Sequence, residues 1–134
     1  MTTQAKGTAL ITGASTGIGA IYADRLARRG HDLILVARNE ARLAALARRI
    51  ANDTGRKVET VAADLSDAAD LRRVEDILRT NAGMSLLVNN AGGGATQAIM
   101  PLMLMALVSF GLEPALGWRV AMFAPGLLLL VMAV

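Results

Sequence analysis

Charge stops abruptly along this chain, and that limits what each part can fold into. Every Lys, Arg, Asp and Glu except Glu113 and Arg119 lies before Thr80. The first part can therefore clothe itself in solvated surface. Beyond Asn89-Asn90-Ala91-Gly92-Gly93-Gly94 the chain is almost wholly apolar, and it supplies much of the 54% hydrophobic content. We read 1–92 and 93–134 as two units, the first a domain with a charged surface and the second a hydrophobic helical tail.

In the first unit, short apolar runs alternate with amphipathic stretches. Residues 8–12, 32–37, 57–63 and 85–89 are apolar runs bounded by turn residues, which predicts strands. Between them, residues 17–29 carry Ile18, Ile21, Tyr22 and Leu26 at helical spacing. Residues 40–54 carry Leu43, Leu46, Ala47 and Ile50, and a third helix starting at Asp67 carries Leu71, Val74 and Leu78. Gly30 and Gly55 are suited to end the first two helices. Strands alternating with helices pair in parallel, because each return to the same end of a sheet needs a crossover. Right-handed crossovers then give an open, doubly wound sheet. The strands read as continuous apolar runs rather than alternating ones, as in a sheet covered on both faces. The predicted fold class is α/β: a truncated Rossmann-like, doubly wound parallel sheet of about four strands and three helices.

The tail reads differently. No charge occurs between Thr80 and Leu112, nor from Val120 to Val134. A membrane-spanning helix needs about 20 apolar residues. Residues 91–112 meet that length with Pro101 as a kink, and 120–134 forms a shorter second run. Trp118 beside Arg119 suits a membrane interface. Two hydrophobic, membrane-type helices and membrane association through 95–134 are the expectation. The alternative is a buried core hairpin of a soluble protein; the Met- and Leu-rich run 99–107, which has no polar face, favours the membrane.

Thr12-Gly13-Ala14-Ser15-Thr16-Gly17-Ile18-Gly19 joins the first strand to the first helix. Gly13 lets the chain leave the strand sharply. Gly17 and Gly19 remove side chains where backbone approaches a pyrophosphate and helix meets sheet. The helix N-terminus offers N–H groups and a positive dipole end to phosphates. Ser15 and Thr16 add hydroxyls to the same region.

This Gly-x-x-x-Gly-x-Gly turn after a Thr-ending strand resembles the classical short-chain dehydrogenase/reductase family. Asp64-Leu65 after the third strand is similar to that family's adenine-contacting Asp, and Asn89-Asn90-Ala91-Gly92 to its Asn-Asn-Ala-Gly motif. The resemblance covers residues 1 to about 92. It implies an oxidoreductase that binds a dinucleotide through Gly13, Ser15, Thr16, Gly17, Ile18, Gly19, Arg38, Asp64, Leu65, Asn90, Ala91 and Gly92. Folds of this kind that use NAD place an acid at the end of the second strand. Arg38 stands there instead, and a guanidinium suits a 2′-phosphate that an acid would repel, so NADPH is favoured over NADH.

The family's chemistry depends on a Tyr, a Lys four residues later and a Ser. The single tyrosine, Tyr22, is followed four residues later by Leu26, and the only lysines are Lys6 and Lys57. No Tyr-x-x-x-Lys exists, so no catalytic residues are assigned and the chain is expected to be inactive.

Residues 89–134 resemble the nitrate/nitrite porter branch of the major facilitator superfamily, through Asn90-Ala91-Gly92-Gly93-Gly94-Ala95-Thr96-Gln97 and the later Gly117-Trp118-Arg119-Val120-Ala121. Shared letters at the seam suggest a chimera. Two other readings therefore stand beside the first: a transporter fragment fused to a dehydrogenase segment, and a membrane-anchored nucleotide-binding module.

Other classes are excluded or disfavoured. With no cysteine there is no disulfide or thiol chemistry. Arg28-Arg29, Arg48-Arg49 and Arg72-Arg73 fall on helix surfaces rather than one basic face, so no nucleic-acid partner is expected. His31 is the single histidine and no metal-ligand cluster is present. The first unit is expected in the cytoplasm, and its oligomeric state is left open.

Overall fold

The computed structural model describes residues 4–91, 119–124 and 127–132. From residue 4 onward the elements are β1 (Thr8–Thr12), α1 (Gly17–Arg28), β2 (Asp32–Ala37), α2 (Glu40–Thr54), β3 (Val58–Ala62), α3 (Ala68–Thr80) and β4 (Met84–Asn89). Both ends of α2 and the start of α3 have local causes. The Asn39 side chain accepts from the Arg42 N–H and starts α2; Gly55, at φ 69°, closes it in the left-handed conformation. Asp67 caps α3 by accepting from the Ala69 and Asp70 N–H groups. Thr16 stands at the N-cap of α1, but no side-chain hydrogen bond caps that helix, and no acid lies in its first turn.

The strand order is β3-β2-β1-β4-β5-β6, where β5 is Arg119–Ala124 and β6 is Leu127–Met132. The first four strands are mutually parallel, as expected from the alternation of strands and helices. Strand order reverses between β1 and β4, which opens a crevice at their carboxyl ends.

Alternation along the strands divides the core. Ala9, Ile11, Leu33, Leu35 and Val88 face one side and pack with Ala23, Leu26 and Ala27 of α1 and Leu43, Ala47 and Ile50 of α2. Leu10, Ile34, Val36 and Leu87 face the other side and pack with Val74 of α3. Both faces of β1 and β2 are thus dry, which is why these strands read as unbroken apolar runs. Each fully buried leucine contributes roughly 1.5–3 kcal/mol of transfer free energy.

The expected second apolar helix is not formed. Residues 119–124 and 127–132 are strands: β5 runs parallel to β4 with Leu86 opposite Arg119 and Asn89 opposite Met122, and β6 pairs antiparallel with β5. Periodicity cannot separate a short apolar run in a strand from one in a helix. The unpaired edge of β4 decides it, because its N–H and C=O groups gain partners when an extended segment lies alongside. The expected first membrane-type helix, 91–112, lies almost wholly outside the described residues, and so does Gly92. Among the described residues, no helix is long and apolar enough to cross a membrane.

Candidate functional site

The carboxyl ends of the first four strands surround a cleft of about 900 Å³. Gly13, Ser15 and Thr16 reach it from β1, Arg38 from β2, Asp64 and Leu65 from β3, and Asn90 and Ala91 from β4. Residues far apart in the chain meet here because strand order reverses between β1 and β4.

Thr12 ties the two strands together at the reversal. Its Oγ1 donates to Asn89 Oδ1 at 3.0 Å and accepts the backbone N–H groups of Asn90 and Ala91 at 3.0 and 3.2 Å. The two N–H groups direct the hydroxyl proton elsewhere, so the Asn89 atom facing Thr12 must be the acceptor oxygen. Both side chains are 1% exposed. Asn90 Nδ2 adds a bond to the Gly13 carbonyl at 3.2 Å. The exit of β4 is thereby fastened to the glycine turn.

The glycines of that turn act in different ways. A Cβ on Gly19 would collide with the Gly13 carbonyl oxygen and sit 2.7 Å from Asn90 Nδ2, so the buried Gly19 serves the close approach of helix to turn. Gly17 has φ +57° and nothing within 4 Å of its Cβ position. It leaves an open cradle at the uncapped start of α1, where a phosphate can approach backbone N–H groups. Gly17, Ile18 and Gly19 do not line the cleft itself; Ile18 is exposed and Gly19 lies beneath the turn.

Two guanidinium groups border the cleft beside β2. Arg38 was legible as the residue that ends the strand. Arg42 was not assigned from sequence; it lies in the first turn of α2, whereas Arg38 stands before that helix, at the exit of β2. Among the described residues neither arginine takes part in an ion pair. Val36, Ala37, Asn39, Ala63 and Ser66 also line the cleft and were not singled out. Asp64 accepts the Ser66 N–H through Oδ1 at 2.9 Å. Tyr22 is half-buried against the α1/α2 side of the core, as a packing residue is. Among the described residues no group of acids and histidines is arranged to hold a metal.

The arrangement suits a long, phosphate-bearing ligand. A glycine cradle and a helix N-terminus meet one part, two arginines a second, and a carboxylate a third.

A sequence model of the family described as short chain dehydrogenase matches residues 7–107. A very-long-chain 3-oxoacyl-CoA reductase of Yarrowia lipolytica is 37% identical over 86 residues, 63% of this chain and 22% of the relative. Among solved structures, a short-chain dehydrogenase from Sphingobium yanoikuyae in complex with NADPH superposes with TM-score 0.64 at 47% identity, covering 78% of this chain and 46% of that one. L-sorbose reductase from Gluconobacter frateurii, complexed with NADPH and L-sorbose, superposes with TM-score 0.67 at 31% identity, covering 89% and 52%. The chain thus spans about half or less of the length of these proteins.

Proposed function

Because this chain belongs to the short chain dehydrogenase family, we propose that it forms the cofactor-binding part of an NADPH-dependent oxidoreductase. The observation that carries this reading is the convergence on one cleft of the glycine turn, Arg38, Arg42 and Asp64. The residues present fit the cofactor. The open position over Gly17 and the first turn of α1 receive the pyrophosphate. Arg38 and Arg42 receive the 2′-phosphate that distinguishes NADPH from NADH. Asp64 and Leu65 line the cleft where they would border the adenine, and Asn90 and Ala91 where they would border the continuation toward the nicotinamide. When bound, the cofactor supplies a hydride to a carbonyl carbon. The protein's own part here is binding and orientation: Thr12, Asn89 and Asn90 hold the turn and the exit of β4 in fixed relation. The NADPH named for the Sphingobium and Gluconobacter structures supports the same assignment.

The 134 residues contain no Tyr-x-x-x-Lys, so the chain by itself is expected to bind cofactor without turning over a carbonyl substrate. Calorimetric titration with NADPH and NADH tests the reading. NADPH is expected to bind at least about 10-fold tighter, the scale of one added charge-assisted contact. Equal affinities overturn the NADPH assignment, and absence of binding to either overturns the function.

A further inference from the structure

The turn that delivers Asp64 to the cleft is held from outside the cleft. The Asp64 N–H donates to Asp70 Oδ2, in the first turn of α3, at 2.8 Å. The other oxygen of Asp70 pairs with Arg73 Nη2 at 3.2 Å. That same nitrogen donates to the carbonyl of Ala62, the last residue of β3. A ring is closed: the end of β3, Arg73, Asp70 and back to Asp64.

Within the turn, the Asp67 N–H donates to the Asp64 carbonyl at 2.9 Å, and the Ser66 N–H donates to Asp64 Oδ1 at 2.9 Å. The backbone of Asp64 and one carboxylate oxygen are therefore engaged. Oδ2 has no hydrogen-bond partner among the described residues. A carboxylate with one oxygen tied down and the other open at a cleft is an acceptor for an exocyclic amino group. Neither Asp70 nor Arg73 lines the cleft, so any effect they have on a ligand passes through Asp64.

We propose that Asp70, braced by Arg73, is a positioning residue for adenine recognition, fixing the turn so that Asp64 presents its open oxygen to the adenine amino group. The inference rests on the cofactor reading given above. Removing Asp70 frees the Asp64 N–H and leaves Arg73 with the Ala62 carbonyl alone.

The test compares NADPH with its deamino analogue, whose hypoxanthine carries a carbonyl oxygen in place of the amino group. The unaltered chain is expected to prefer NADPH about 10-fold, the scale of one hydrogen bond to a charged group. Asp70→Ala should bind both alike. Asp70→Asn, whose side-chain oxygen still accepts the Asp64 N–H but whose amide nitrogen loses the Arg73 ion pair, should fall between the two, at about 3-fold. Arg73→Met should reduce it to about 3-fold, and this variant decides the matter should Asp70→Ala fail to fold. Full preference retained in Asp70→Ala, or in Arg73→Met, overturns the positioning role alone. A parent chain that binds the two ligands equally overturns recognition by Asp64 and the positioning role with it. A parent that binds neither overturns the cofactor reading itself.

Discussion

Replacing Thr12 by Val tests the clamp at the strand reversal. The change keeps the branched shape and deletes one hydroxyl, so loss of volume contributes little. That hydroxyl makes three hydrogen bonds, at 3.0, 3.0 and 3.2 Å. Asn89 is 1% exposed, and an unpaired buried acceptor costs about 1–3 kcal/mol. The two backbone N–H groups are half-buried, and each lost bond there costs about 0.5–1.5 kcal/mol. The sum is about 2 to 6 kcal/mol, a large share of the stability of an ordinary domain. Urea unfolding followed by circular dichroism, with the slope checked for constancy, measures it. Thr12→Ser keeps the hydroxyl and loses only a methyl, so it should lose about 1 kcal/mol. Cofactor affinity should follow the same order, because the hydroxyl fastens the β4 exit to the turn. A loss below about 1 kcal/mol in Thr12→Val, or a Ser variant no better than the Val variant, refutes the reasoning.

Gly17→Ala and Gly19→Ala should differ in kind. The first meets open space and costs about 1 kcal/mol for its left-handed conformation, with a larger effect on NADPH affinity. The second forces a Cβ against the Gly13 carbonyl and Asn90 Nδ2, so thermal melting should show about 1–3 kcal/mol of destabilisation; a parent-like melting curve would remove the close-approach role. Arg38→Glu should reverse the preference for NADPH over NADH in calorimetric titration, and an unchanged preference takes Arg38 out of the cofactor site. Asp24 accepts a 2.8 Å hydrogen bond from Arg28, which holds its carboxyl below the usual carboxylate range. The stabilisation is therefore complete above the ordinary carboxylate pKa and is lost as pH falls through the lowered value. Asp24→Asn should flatten the acid side of the stability profile below about pH 4, and a profile identical to the parent's assigns the pair no role.

The elements through Asn89 were legible because their signals are local. Strand bounds 8–12 and 32–37 and helix bounds 40–54 coincide with β1, β2 and α2. Smaller differences have nearby causes: Arg29 serves as the C-cap of α1 rather than its last residue, and Met84, buried against the α3 side of the core, joins β4. The apolar tail was not legible. Its runs 119–124 and 127–132 carry no helix-specific or strand-specific period, and the choice depends on the edge they lie against. In the cleft, the glycine turn, Arg38, Asp64 and Asn90 announced themselves by residue type at strand ends. Arg42 did not, because an arginine on a helix reads as solvated surface until a neighbouring strand exit is placed beside it.

By itself, then, the sequence determined the order and kind of the elements up to Asn89, since spacing, caps and glycines act within a few residues. It also determined the chemical character of the turn after β1. Only the tertiary structure decided which strand β5 joins, that Asp70 and Arg73 brace Asp64, and that Thr12 bonds Asn89, 77 residues away. Such contacts depend on strand order, and strand order is set by which edges and faces remain to be covered once the local elements have formed.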